Sequence, residues 1–212
     1  HQCMRELRGP GLLERPKSRT RWLVDNIAAG LPAAETNEGR IELQHQLYHI
    51  AEEFDHYKLY ADILESITGE PVRMDDIRGL KLPGDKIIED LRTRLFTDDE
   101  CLAKLAYEFT EGGGAGIFYA QATIESDDPL LLQIKAAGRS IFDDEVPHGE
   151  YGVEGVASSL TSAEEFAKFR EMVVEITKER LHMRAEMHGT TISDERVQEI
   201  IDGKIDPIDP LA

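Results

Sequence analysis

The sequence predicts an all-α fold: a four-helix bundle with one long crossover connection and an additional C-terminal helix. Three observations predict it. Apolar residues recur at steps of three and four over long stretches, no run reads as a strand, and clusters of Gly and Pro divide the chain into helix pair, long connection, helix pair and extra helix.

Residues 1–15 carry Gly9-Pro10-Gly11 and read as an irregular N-terminal arm; 16–190 read as a single helical domain and 191–212 as a C-terminal tail. A first helix is expected over about 18–30, with Trp22, Leu23 and Ile27 on one stripe and Gly30-Leu31-Pro32 as its stop. A second is expected over about 39–66, where Leu43, Leu47, Ile50, Phe54, Tyr57, Ala61 and Leu64 keep helical spacing. Residues 70–84, with Pro71, Gly79, Pro83 and Gly84, form the long connection, and 85–96 a short helix within it. Asp98 or Asp99 caps a third long helix that runs through Leu102, Leu105, Phe109 and Ile117 to about Ile124. Asp127-Asp128-Pro129 caps a fourth, with Pro at a permitted first-turn position, reaching Gly152 or beyond. Thr161 or Ser162 caps a fifth that stops at Gly189, and the tail from Ile201, with two Asp-Pro pairs, reads as extended.

A chain of 212 residues, 41% apolar, is long enough for one domain with a full core. Lys and Arg number 24 against 42 Asp and Glu, a net charge of −18, which argues against nucleic acid and anionic membrane surfaces as partners. The charge is compatible with attracting metal cations, although a solvated acidic surface explains most of it equally well. Cys3 and Cys101 are too few for a disulfide framework or a thiolate zinc site, so free thiols and a cytoplasmic location are expected. The N-terminal residues lack the apolar core of a signal peptide, and no stretch is long and apolar enough to span a membrane.

The chemistry-bearing feature is the tetrad Glu53-Phe54-Asp55-His56, whose form returns in Glu145-Val146-Pro147-His148. Glu and His three apart on a helix lie about 60° apart around its axis and can reach one point beside it. One such pair is weak evidence: with 25 Glu and 7 His, chance gives about one match. Four occur, the others being Glu42/His45 and Glu179/His182. Only the pairs at 53/56 and 145/148 have an acid directly before the Glu (Glu52 and Asp144) and lie near the middle of helices from opposite halves of the chain. In a hairpin of helices turning near Asp127 and Asp128, Glu111 faces the level of Glu145, with Glu108 about one turn away.

These residues resemble the ferritin-like di-iron carboxylate superfamily, which includes multicomponent monooxygenase hydroxylases, ribonucleotide reductase small subunits, acyl-carrier-protein desaturases and rubrerythrins. The resemblance covers roughly residues 18–152 and matches no single member closely. It implies that Glu53, His56, Glu111, Glu145 and His148 hold two Fe ions, with Mn as an alternative, and that Glu52 and Asp144 orient the ligating imidazoles. The family places a further carboxylate on its first helix, but this chain has Arg19 to Leu23 at the corresponding level. Three readings stay open: Asp25 is a sixth ligand, the site has five ligands, or one metal has been lost. Pro147 is the second departure, marking either a kink beside the metal or the end of the helix.

Gly112-Gly113-Gly114, directly after Glu111, would thin the helix wall and leave a substrate cavity; close helix packing or a helix break is the competing reading. Tyr57, Tyr107 and Tyr119 read as core or gating residues, and His45 and His49 as a polar layer continuing the His56 stripe. The leading functional expectation is an O2-dependent non-haem di-iron oxygenase or hydroxylase, cytoplasmic, acting on a small organic or carrier-bound substrate. It would need an external electron donor, and its long helices are compatible with a homodimer. The alternatives are a ferroxidase or peroxide-scavenging protein, and a non-catalytic helical accessory subunit with a decayed site.

Overall fold

The computed structural model describes residues 1–8, 28, 30–111 and 115–204. Among these residues every regular element is helical and no strand occurs, so the all-α class holds. No described helix is long and apolar enough to cross a membrane. The chain divides into two compact units, His1–Leu80 and Lys81–Ala212, each built around its own core.

The first unit contains α1 (Gln2–Arg8), a 3-10 turn (Ala33–Glu35), α2 (Asn37–Thr68) and α3 (Met74–Arg78). The second helix expected from the sequence is α2. The Thr36 side chain caps it by accepting from the Gly39 amide at 3.0 Å. It ends at Gly69, whose φ of +70° a side chain would strain, and whose amide donates to the Glu65 carbonyl.

The N-terminal segment is helical at Gln2–Arg8, where the Gly-Pro-Gly sequence that follows suggests an irregular arm. The reason is tertiary. Cys3, Met4 and Leu7 share one face and are buried against Tyr57 and Ala61 of α2 and Ile77 of α3. A seven-residue helix is too short to persist alone. Burial of Met4 and Leu7, about 1.5–3 kcal/mol each, holds it in place. The helix expected over 18–30, and with it Asp25, falls outside the described residues except for Ala28 and Gly30, which are helical.

The second unit contains α4 (Pro83–Asp98), α5 (Glu100–Glu111), α6 (Ala115–Ala122), α7 (Pro129–Ser159), α8 (Ala163–Met187) and α9 (Asp194–Ile201). The short crossing helix expected over 85–96 is α4, and it is a core element. Its Leu91 and Leu95 pack with Ala103, Ala106 and Tyr107 of α5 and with Phe169, Met172 and Ile176 of α8. The third expected helix appears as α5 and α6, which pack in succession along α7; Gly112, Gly113 and Gly114 lie outside the described residues. Asp128 caps α7 by accepting from the amides of Leu130 and Leu131, and Ser162 with Glu165 forms a reciprocal cap on α8. Helix α9 was not expected; Ser193 caps it, Val197 is buried, and it packs on α8. The Asp-Pro pairs of the tail lie outside the described residues.

Two contacts fix the register of this hairpin. A Cβ on Gly152 would stand 2.9 Å from the Phe109 Cα and 3.0 Å from the Glu108 carbonyl oxygen, and one on Gly138 would meet Gln121 and the Ala122 amide. The Lys135 ammonium donates to the Ile124 carbonyl at 2.9 Å, in the same register. The first turns of α7 therefore run beside residues 121–124, and the pairing is not symmetric about 127–128. In backbone level Glu111 faces His148 to Glu150, about one turn beyond Glu145. Pro147 is exposed within α7, which continues past it to Ser159, so the helix does not end there.

Candidate metal centre

In the first unit α2 presents Glu53 and His56 toward α1. The His56 side chain is 1% exposed and Glu53 14%. They meet Glu6, on the buried face of α1 three residues after Cys3 and 7% exposed. The His56 Nδ1 is 3.9 Å from Glu6 Oε2, and one ligand atom from each of Glu6, Glu53 and His56 lies within 4.8 Å of the other two. Gln2 donates to the other oxygen of Glu6, which orients the carboxylate. Glu6, which the sequence does not single out, is the acid that joins Glu53 and His56 in this unit, while Asp25 lies outside the described residues. The signal for Glu6 was the stripe Cys3, Met4, Leu7 around it; Gly9-Pro10-Gly11 obscured that stripe.

A divalent metal fits this set. Bond lengths of about 2.0–2.2 Å to oxygen and nitrogen place three donors around one ion roughly 3–3.6 Å apart, so donors that lie within 4.8 Å of one another would draw in by about 1 Å on binding. Two carboxylates crowded at low exposure repel each other and lose hydration, and a 2+ ion offsets both. Cys3 is not among the donors that come together here, and burial, reinforced by the Glu6 charge, pushes its thiol up. Oxygen and imidazole donors without thiolate suit iron or manganese, with zinc as the alternative.

In the second unit α7 carries Glu145 and His148 one turn apart. The His148 Nδ1 is 3.9 Å from Glu145 Oε2, and both side chains are about nine-tenths buried. Asp144 is half-buried on the same helix, as Glu52 is on α2. Glu111 is the last residue of α5. The two remaining Glu-x-x-His pairs behave as accidental matches would. Glu42 and His45 are exposed, and His182 pairs with Asp194 at 3.2 Å at the junction of α8 and α9. A cleft of about 430 Å³ lies at the N-terminal end of α5, lined by Asp99, Cys101, Leu105, Glu108 and Leu160; it touches neither Glu145 nor His148. Tyr57 and Tyr107 are core residues, and the Tyr119 ring packs against Phe142 at a tilt of 57°.

Comparison with protein-family models, curated proteins and solved structures gives no match.

Proposed function

We propose that this protein is a ferritin-like, non-haem iron oxygenase or hydroxylase, dependent on O2 and an external electron donor, acting on a small organic or carrier-bound substrate. The observation that carries the reading is the buried set Glu6, Glu53 and His56 on packed helices. It is a carboxylate-rich donor set of the kind that holds iron in helical bundles. On this reading Glu6, Glu53 and His56 hold one ion, and Glu145 and His148, with Glu111, hold a second.

Iron so held supplies the electrons that activate dioxygen. The chain's own contribution is positional and electrostatic. Glu6 and Glu53 supply two negative charges that favour the more oxidised metal, and His56 is fixed by burial. Met4, Leu7 and Tyr57 keep bulk water from that side of the cluster.

The test is elemental analysis with an optical spectrum of protein expressed in iron-rich medium. Two irons per chain, and loss of metal in both His56→Ala and His148→Ala, are expected. A metal-free protein overturns the reading. Turnover of Fe(II) and O2 in large excess over protein, without organic substrate, would replace it with a ferroxidase.

A further inference from the structure

The His56 stripe of α2 does not stop at the buried cluster. His45, His49, Glu53 and His56 follow one another at steps of four, four and three, with Glu52 beside Glu53. At about 100° per residue all five fall within roughly a 100° sector of the helix. Their exposure falls steadily along the stripe: His45 is exposed, the His49 side chain is 30% exposed, Glu53 14% and His56 1%. The His49 Nε2 is 3.9 Å from Glu53 Oε1, and a ligand atom of His49 lies within 4.8 Å of one of Glu52. Glu53 thus belongs to the buried set with Glu6 and His56 and also lies beside His49, which neighbours Glu52.

We propose that His45, His49 and Glu52 form an outer capture position for divalent cations, which passes them along α2 through Glu53 to the buried Glu6–His56 pair. The inference rests on the metal-binding reading above. Imidazoles at i and i+4 chelate borderline divalent ions, and at an exposed helix surface they exchange ligands with water readily. A buried ligand set with no outer donors must strip a hydrated ion in one step. An outer set lets hydration water leave in stages, each loss matched by a protein donor. Glu53, a member of the buried set that lies 3.9 Å from His49, would carry the ion across by reaching it at the outer position and holding it at the inner one. The span from His45 to His56 is eleven residues, about 16 Å of helix. The acidic surface raises the local cation concentration at the exposed end.

The experiment follows Co(II) uptake by metal-free full-length protein, using the visible absorbance of nitrogen- and oxygen-coordinated Co(II) in stopped flow, with final equivalents by elemental analysis. The double variant His45→Ala/His49→Ala is expected to load about tenfold or more slowly at limiting Co(II) while reaching the wild-type equivalents. His56→Ala is expected to lose an equivalent outright. A His45→Asn/His49→Gln variant repeats the kinetic test with side-chain volume kept, and unchanged final equivalents show that either variant is folded. Wild-type loading rates in both double variants overturn the capture position. So does a loss of equivalents in step with rate, which would make His49 a permanent ligand. Wild-type protein that takes up no Co(II) overturns the metal-binding reading itself, and the capture position with it.

Discussion

Glu6 Oε2 stands 3.9 Å from the Nδ1 of His56, two nearly solvent-free groups from helices far apart in sequence. That contact makes Glu6 the test of the candidate metal centre. Glu6→Gln keeps the shape of the side chain and removes its charge. Loss of a direct ligand is expected to weaken metal binding by more than the roughly 10–100-fold typical of residues that only orient ligands. Asn at Asp25 serves as the comparison and is expected to change affinity far less. Isothermal titration with Mn(II) or Co(II) reads both; equal affinities for Glu6→Gln and wild type would remove Glu6 from the site.

Gly152 holds the α5 and α7 backbones in contact. Ala at this position pushes a Cβ to within 2.9 Å of the Phe109 Cα, where backbone must shift. A loss of about 1–3 kcal/mol is expected. Gly116→Ala on α6 meets nothing within 4 Å and should be neutral or stabilising by up to about 1 kcal/mol. Urea denaturation of the two variants side by side separates close packing from helix propensity.

Pro147 leaves one α7 carbonyl without its helical donor while the helix continues past it. Pro147→Ala should raise stability, by up to about 3 kcal/mol if the missing helical hydrogen bond forms. A drop in melting temperature instead would show that the proline ring is needed by the packing around Glu145 and His148.

The Tyr107 hydroxyl is buried with no hydrogen-bond partner among the described residues, while its ring lies beneath the guanidinium groups of Arg92 at 5.3 Å and Arg180 at 5.7 Å. Tyr107→Phe keeps the ring contacts and removes the unsatisfied group. It should be neutral or stabilising, by at most about 1–3 kcal/mol. Thermal denaturation decides it, and a marked loss would reveal a partner for the hydroxyl.

Asp99 accepts from Lys168 Nζ at 2.8 Å and from the Leu102 amide at 3.1 Å at the start of α5, and the Lys168 bond above all holds its carboxyl below the usual range. Because the folded-state value is depressed, this stabilisation is full above the ordinary Asp value of about 4 and is lost as pH falls through the lowered one. Asp99→Ala is therefore expected to cost about 1 kcal/mol or less at pH 7, since the pair is exposed. The difference from wild type should vanish at strongly acid pH. Stability measured from pH 7 to 2 reads the convergence.

The helices with long apolar stripes and explicit caps were legible in the sequence. Asp128, Ser162 and Gly189 mark ends by local chemistry that needs no partner, and Thr36 caps α2 in the same way without having been singled out. What escaped was held by tertiary contact. Helix α1 has one short stripe and a breaker beside it, and only docking on Tyr57, Ala61 and Ile77 makes it helical. Helix α9 is likewise short, kept by its cap and by Val197. Glu111 lies about one turn from the level that a symmetric loop predicts, because Gly138 and Gly152 set the register by close approach. At the site, Glu53 and His56 were visible as a spaced pair. Glu6 was not, because its partners are brought to it by a chain reversal that sequence spacing does not encode.

That reversal has a mechanical consequence. Roughly fifty residues separate Glu6 from Glu53, and an ion bound by both would close that length of chain into a ring. A disulfide closing a loop of this size withdraws about 4 kcal/mol of disorder from the unfolded chain. An ion here would act as a removable staple, and a chelator would do to this unit what a reductant does to a cross-linked one. Adding it should free the N-terminal helix to proteases before the rest of the fold gives way.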